Sequence, residues 1–270
     1  MRGAVAALLL LLAARPGAAA AGQLRVCADP NNLPFSNREG AGFENRIVAV
    51  IAQDLGVVLS YTWWAQRRGY VRNTLKAGLC DLWPGVASGV EMLATTAPYY
   101  RSTYVFVARA GAAPAITSLD DPRLRQVRVG VQMIGNDAVN TPPAHALARR
   151  GISGNVRGYS VLGDYAQPNP AASVIDAVVQ GDVDVAIVWG PLAGYFAATA
   201  PVKLRLDPVL PELDGGVWPM VFDIAMGVRR SDAGLKQTID RELRRRHAEI
   251  AAILADYHVP MLPLSATPEP

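Results

Sequence analysis

The chain has 270 residues, 51% of them hydrophobic, and its 26 basic and 23 acidic side chains give a formal net charge of +3. The length allows one large domain or two of roughly 100 to 150 residues. Loss of an N-terminal segment that contains Arg2 and Arg15 and no acid would lower the charge to +1. A chain so close to neutral offers no electrostatic reason to expect nucleic acid as a partner.

Residues 1–21 have the pattern of a secretory signal peptide. Arg2 gives a basic start, residues 4–12 form an unbroken apolar run, and residues 18–21 offer small-residue cleavage sites. The alternative is a retained membrane anchor, but the run is shorter than the roughly 20 residues that a spanning helix needs. We therefore expect cleavage after Ala21 and a mature protein in the periplasm, with no membrane span.

The first part of the mature chain alternates predicted strands and helices. An apolar strand ends in a cluster of turn residues at 29–32, and apolar residues at helical spacing then precede Gly56, a typical helix stop. The predicted series is strand 24–28, helix 43–55, strand 57–63, helix 70–77 and strand 80–86. This order implies a parallel sheet with crossover helices.

A second α/β series follows the strand-like segment 99–109 and an Ala-, Gly- and Pro-rich stretch at 111–122. Its predicted elements are strand 127–131, helix 144–150, strand 155–161, helix 171–180 and strand 183–189. Residues 206–219 resemble a loop, with three prolines. A strand at 221–228 and a helical region at 235–257 come last, followed by a tail that we expect to fray after Pro260.

Two α/β blocks with a strand that returns late in the chain predict a bilobed α/β fold with two crossings between the lobes. We expect lobe 1 to comprise residues 22–108 and 219–270, and lobe 2 to comprise residues 109–218. In such a fold a ligand lies between the lobes, near the carboxyl ends of the strands.

The two cysteines, Cys27 and Cys80, are expected to form a disulfide. An even number of cysteines in an oxidising compartment usually pairs. Cys27 lies in the first predicted strand and Cys80 opens the third, and these strands are neighbours in a sheet of order 2-1-3. The alternative is a reactive or metal-binding pair of thiols. We favour the disulfide, with a role in stability.

Motifs that carry catalysis are scarce in this sequence. It contains no GxGxxG, GxxxxGK[ST] or GxSxG string, and no calcium loop. His145, His247 and His258 lack Cys or His neighbours at metal-ligand spacing. A site assembled only in space stays possible, but we expect no enzymatic activity, no metal and no cofactor in this chain.

Aromatic and proline-punctuated loops follow the first three predicted strands, where a cleft would form. For each of these side chains, packing against the core is the alternative to ligand contact. The cleft candidates are Asp29, Phe35, Trp64, Arg68, Ser88 and Gln132. Because exposed Trp, Tyr and Arg dominate protein interfaces, the candidates for contact with a partner are Trp63, Arg67, Tyr99, Tyr100 and Arg101.

Several strings carry a resemblance to known proteins. GFE (42–44), LKAG (75–78) and GDVD (181–184), in this order, resemble the type II periplasmic solute-binding family over nearly the whole mature chain. A narrower likeness is to the methanol-dehydrogenase-associated periplasmic J proteins (MxaJ/XoxJ type). It rests on four longer runs, LRVCADPNNLPFSN (24–37), GFENRI (42–47), YTWWAQRRGYVRNTL (61–75) and TTAPYYRSTYVFV (95–107).

This resemblance implies an accessory role in methanol oxidation, in which the chain binds a PQQ-dependent methanol dehydrogenase and supports its maturation or activation. The dehydrogenase, and not this chain, would carry the PQQ and its metal. An ABC-transporter receptor for a small neutral solute is the alternative function. Neighbouring permease genes would favour transport, and neighbouring dehydrogenase genes the accessory role.

The sequence departs from the amino-acid-binding members of the solute-binding family at both charged anchors. Those members place an Arg about nine residues before the Pro-Tyr pair, but residues 85–100 contain neither Arg nor Lys. They also carry an Asp after the lobe-2 strand, where this chain has Trp189, Gly190 and Pro191. Without these charge-assisted contacts a zwitterion would bind poorly. We therefore expect the cleft to favour a neutral or apolar ligand, or a protein segment.

Overall fold

The computed structural model of the chain describes residues 22–112, 115–135, 140–161 and 163–265. The expected signal peptide at 1–21 lies outside the described residues. Within these ranges no helix combines the length and the apolar composition needed to cross a membrane.

The strands alternate with helices through most of the chain. In chain order the strands are β1 Gln23–Ala28, β2 Asn31–Asn32, β3 Ser36–Asn37, β4 Val58–Trp63, β5 Trp83–Ala87, β6 Ala94–Thr95, β7 Tyr100–Arg109, β8 Val129–Met133, β9 Val156–Ser160, β10 Val185–Trp189, β11 Leu204–Pro208, β12 Leu213–Asp214, β13 Trp218–Pro219 and β14 Val221–Val228. The α-helices are α1 Phe43–Leu55, α2 Tyr70–Asn73, α3 Pro142–Arg149, α4 Ser173–Gln180, α5 Gly190–Ala198, α6 Ala233–Arg245 and α7 His247–Asp256.

Lobe 1 is built on β4, β1, β5 and β14, in that spatial order. β1 pairs in parallel with β4, and Val26 also bridges in parallel to Leu82 just before β5. β14 then pairs antiparallel with β5. The apolar face of α1 packs on this sheet through Phe43, Ile47 and Ile51, all fully buried. The predicted 2-1-3 neighbourhood of the first three strands is thus present.

Lobe 2 has a parallel core of β10, β8 and β9, with β7 antiparallel to β10 on one side. β11 adds a further antiparallel strand on the other side of β7. Leu124, Val131, Leu147 and Ile187 fill its interior and are almost completely buried. Each lobe therefore has a hydrophobic core of its own.

β7 joins the two lobes. Its first residues pair with β14 of lobe 1, whereas residues from Val105 onward pair with β10 and β11 of lobe 2. Tyr100 accordingly belongs to the lobe-1 core, and Val105 and Phe106 belong to the lobe-2 cores. The predicted bilobed α/β class is confirmed, while the lobe boundaries at 108/109 and 218/219 stay a prediction.

The expected disulfide is present. Cys27 and Cys80 are bonded, with their Cα atoms 5.4 Å apart, and both are fully buried. The backbone N–H of Cys27 donates to the carbonyl of Leu82 at 2.8 Å, which holds β1 beside the segment that carries Cys80.

Three predicted elements in lobe 1 differ from the observed ones. The helix expected at 70–77 ends at Asn73, because Thr74 adopts φ −120° and ψ −82° and its hydroxyl bonds back to the carbonyl of Tyr70. The strand expected from Cys80 begins at Trp83. The helix expected at 235–257 is two helices that meet at Arg246, whose ψ of 16° is not helical.

Helix α5 and the strands β11, β12 and β13 were not predicted, and the tail is more ordered than expected. Helix α5 follows β10 directly, and β11 begins two residues before the stretch that resembles a loop. The tail does not fray at Pro260, since the N–H of Leu262 donates to the carbonyl of Arg101 at 2.9 Å. Pairing with β7 stabilises this part of the tail.

Candidate functional site between the lobes

A cavity of about 190 Å³ lies where the lobes meet. Most of its wall comes from lobe 1, and lobe 2 contributes Trp189, the last residue of β10. The lining residues are Asn32, Phe35, Glu44, Gln66, Gly85, Tyr100, Trp189 and Ile224. The site therefore combines two amides, three aromatic rings and one carboxyl group.

Glu44 is the unusual member of this set. It lies in the first turn of α1 and is 3% exposed, and its Oε2 has no hydrogen-bond partner among the described residues. A Cβ at position 85 would lie 1.9 Å from Oε1, so Gly85 makes room for the carboxyl group. A buried polar atom without a partner costs free energy, and in native proteins its partner is often a water molecule, an ion or a ligand.

Burial controls the protonation of Glu44. Desolvation, assisted by the nearby negative charge of Asp29, raises the pKa of Glu44 to about 8. The carboxyl group is therefore mostly protonated at pH 7, and it loses its proton readily when a positive charge comes close. Perturbed carboxyl groups of this kind cluster at functional sites.

Asp29 stands at the end of β1 and is fully buried. Its carboxylate accepts hydrogen bonds from the backbone N–H groups of Asn31 at 2.9 Å and Gln66 at 2.7 Å. It also accepts one from the hydroxyl of Tyr165, a residue of lobe 2. Asp29 therefore positions the loops of lobe 1 and contacts lobe 2.

Arg67, Tyr165 and Asp29 form an inter-lobe latch. The Arg67 guanidinium lies 4.9 Å from the centre of the Tyr165 ring, whose hydroxyl bonds Asp29. Burial is the main cause that raises the pKa of Tyr165, and the hydrogen bond to Asp29 is the next. The Tyr165 hydroxyl therefore keeps its proton and donates a hydrogen bond to the Asp29 carboxylate. Asn31 adds a hydrogen bond from its side-chain amide to the carbonyl of Gln167 at 3.0 Å.

Substituting Tyr165 with Phe is expected to loosen the contact between the lobes. Hydrogen bonds to charged groups contribute about 1.5–3 kcal/mol, so the population with separated lobes should rise at least about tenfold. The radius of gyration from small-angle scattering would measure the change, with Tyr159→Phe in β9 as the matched control. An unchanged radius of gyration for Tyr165→Phe would show that the latch does not hold the lobes together.

The cleft candidates from the sequence occupy different places. Phe35 lines the cavity, and Asp29 lies behind it in the latch. Gln132 is buried, and its Oε1 accepts the N–H of Trp189 at 3.0 Å, so it positions a lining residue. Trp64, Arg68 and Ser88 are exposed and do not line this cavity.

The five candidates for partner contact also differ in burial and in their contacts. Tyr99 and Tyr100 are 7% and 4% exposed, which removes the exposure on which their selection rested. Tyr99 donates to the carbonyl of Pro84 at 2.9 Å, whereas Tyr100 lines the cavity. Arg101 is mostly buried and forms ion pairs with Glu212 and Asp223.

Trp63 and Arg67, the other two candidates, remain near the surface. Trp63 is partly buried and stacks on Tyr61 with the ring centres 4.6 Å apart, and the Arg38 guanidinium lies 6.0 Å from its ring. Arg67 is exposed above Tyr165. Both side chains therefore lie near the surface of lobe 1, outside the cavity.

Glu44, Tyr165 and Trp189 were not selected from the sequence. For Glu44 a signal existed, since it is three, four and seven residues before Ile47, Val48 and Ile51 and so shares their apolar helix face. No local pattern reveals Tyr165, which is 136 residues from its partner Asp29.

No group of three or more His, Cys, Asp or Glu side chains is arranged to hold a metal ion in the part of the chain that the structure describes. The cavity lining also offers neither a cysteine nor a histidine. The arrangement instead suits the binding of a small molecule by hydrogen bonds, one carboxyl group and aromatic rings.

Two curated proteins are similar to this chain over most of its length. No protein-family model matches the chain. The protein MoxJ of Methylorubrum extorquens AM1 is 35% identical over 94% of this chain and 85% of its own length. The protein MoxJ of Paracoccus denitrificans is 32% identical over 97% of both chains.

A solved structure gives the same picture. The periplasmic binding protein XoxJ from Methylobacterium extorquens AM1 superposes with a TM-score of 0.73 at 39% identity, over 89% of this chain and 100% of that one. An ancestral amino-acid-binding protein, described as a precursor of cyclohexadienyl dehydratase, shares only the fold, at 19% identity. The resemblance to the J proteins is confirmed, and the chain belongs to the MoxJ family, with the fold of type II periplasmic binding proteins.

Proposed function

We propose that the protein acts in the periplasm as an accessory factor of methanol oxidation, which binds a PQQ-dependent methanol dehydrogenase and supports its maturation or activation. Membership of the MoxJ family supports a role in methanol oxidation. The observation that carries the proposal is an exposed aromatic and basic rim on lobe 1, formed by Trp64, Arg67 and Arg68.

The rim has the composition of a protein interface. Trp64 is 42% exposed, although a large aromatic side chain is usually buried. Arg67 and Arg68 are exposed and form no ion pair with any acidic residue in the described ranges. Trp and Arg are the residues whose truncation most weakens protein complexes, and an exposed arginine without a carboxylate partner in the described ranges, such as Arg68, favours an acidic partner surface.

The direct test is capture of the dehydrogenase by the mature, disulfide-intact protein from a periplasmic extract of methanol-grown cells. Recovery of a PQQ dehydrogenase, together with a change in its activity, is the expected result. Recovery of a transporter permease alone, or no effect on the dehydrogenase at micromolar concentration, would contradict the proposal.

Substituting Trp64 with Ala should weaken binding to the dehydrogenase at least tenfold, since truncation of an interface anchor costs about 2 kcal/mol or more. The substitution Arg68→Gln should chiefly lower the association rate, and it should reduce the dependence of that rate on salt. Surface plasmon resonance with the purified dehydrogenase would measure both effects. Arg157→Gln on β9 is the matched control, and equal effects at 157 and at the rim would exclude the rim as the interface.

A further inference from the structure

The buried carboxyl group of Glu44 has no role in the proposed contact with the dehydrogenase. It is 3% exposed, lines the cavity between the lobes and has an Oε2 without a hydrogen-bond partner among the described residues. The cost of such a group falls when a ligand supplies the missing partner. A ligand can supply that partner as a hydrogen-bond acceptor for the protonated group, or as a hydrogen-bond donor or a positive charge for the ionised group.

The surroundings of the cavity favour a positive charge. None of its lining residues is Lys or Arg, and the Asp29 carboxylate is close enough to Glu44 to act on its charge. Phe35, Tyr100 and Trp189 add three aromatic rings to the wall. Aromatic rings combined with a carboxylate are the usual means by which proteins bind organic ammonium ions.

We propose that the cavity between the lobes binds a small organic monocation, an alkylammonium or methylated ammonium ion, with Glu44 as its counter-ion and Phe35, Tyr100 and Trp189 as its aromatic wall. The volume of about 190 Å³ is many times the roughly 10–15 Å³ that one water molecule needs, so a small molecule of several non-hydrogen atoms can enter. A simple ammonium ion has no carboxylate, so it does not need the arginine that amino-acid receptors carry.

A cationic ligand differs from the neutral or apolar ligand expected from the sequence, because Glu44 was not among the predicted cleft residues. It does not rest on the proposed function, since capture of a dehydrogenase by the rim requires no cation. The two proposals can therefore fail separately.

Binding of a cation should depend on pH, because only ionised Glu44 pairs with it. With a pKa of about 8, the ionised fraction rises about fiftyfold between pH 6 and pH 8, and the affinity should follow it. Burial raises the pKa of each neighbouring tyrosine, so these hydroxyls do not ionise in this range. The titratable groups that interact electrostatically with Glu44 are Asp29, Tyr61, Tyr70, Tyr99 and Tyr100.

The test uses the mature, disulfide-intact protein and isothermal titration calorimetry. Tetramethylammonium carries a permanent charge, and tert-butanol is a neutral molecule of similar shape and equal heavy-atom number. We expect tetramethylammonium to bind at pH 8, to bind about fiftyfold more weakly at pH 6, and to bind more tightly than tert-butanol at pH 8. Equal affinity for tert-butanol, or no binding of tetramethylammonium at pH 8, would overturn the inference.

Glu44→Gln is the matched variant, because Gln has the shape of the protonated acid. It should lose at least tenfold in affinity for tetramethylammonium at pH 8 and should show no change in affinity between pH 6 and pH 8. Retention of wild-type affinity by this variant would refute the role of Glu44. If the variant does not fold, the comparison of the two probes and of the two pH values on the unsubstituted protein decides the question.

Discussion

Substituting Glu44 with Gln should raise the free energy of unfolding at pH 8 and change it little at pH 4. The folded protein holds the pKa of Glu44 at about 8, against an ordinary value of 4.5. Between these values the folded state binds more protons than the unfolded state, so stability is fully present below about pH 4.5 and falls as pH rises towards 8. Gln stays neutral at every pH, so the free energy of unfolding of the variant does not fall in this way.

The difference between the two proteins should grow by up to about 1.4 kcal/mol per pH unit in this window. Urea denaturation at pH 5, 6.5 and 8 would measure it, with Glu39→Gln, an exposed glutamate, as the control. Hydrogen bonds from Arg150 lower the pKa of Asp214, which therefore titrates below this window in both proteins and cancels in the difference. A difference that stays constant from pH 5 to pH 8 would contradict the buried, protonated state of Glu44.

Removal of the Cys27–Cys80 disulfide should lower the free energy of unfolding by about 4 kcal/mol. The two cysteines are 53 residues apart in sequence, and closing a loop of this length restricts the unfolded chain. Both side chains are fully buried, so Ala at both positions is the least disruptive replacement. For a chain of this size the melting temperature should fall by about 10 °C.

Circular dichroism melting of residues 22–270 with and without Cys27→Ala/Cys80→Ala would test this prediction. Reduction of the unsubstituted protein provides the control, since it opens the same loop without removing either sulfur atom. A loss below about 1 kcal/mol in both samples would show that packing of β1 beside the segment that precedes β5 already restricts this loop.

Elements with a strong local pattern were predicted from the sequence with the correct bounds. Helix α1 at Phe43–Leu55 and strand β14 at Val221–Val228 are confirmed, because their apolar spacing and flanking residues are visible without tertiary context. Helix α5 was missed, because the sequence Trp189-Gly190-Pro191 resembles a turn. In the fold, a Cβ at Gly190 would lie 2.5 Å from the carbonyl oxygen of Thr103, so a close approach to β7 requires glycine there.

The sequence by itself determined the α/β class, the neighbourhood of the first three strands, the pairing of the two cysteines and the family, since each depends on local spacing or on long similar strings. The tertiary structure alone decided which side chains meet between the lobes. Helical periodicity places Glu44 on an apolar face, but only the tertiary structure brings it to the same cavity as Trp189, with an Oε2 that has no partner among the described residues. Likewise Asp29 meets Tyr165 because two separately folded lobes come together, and no local pattern encodes a contact across 136 residues.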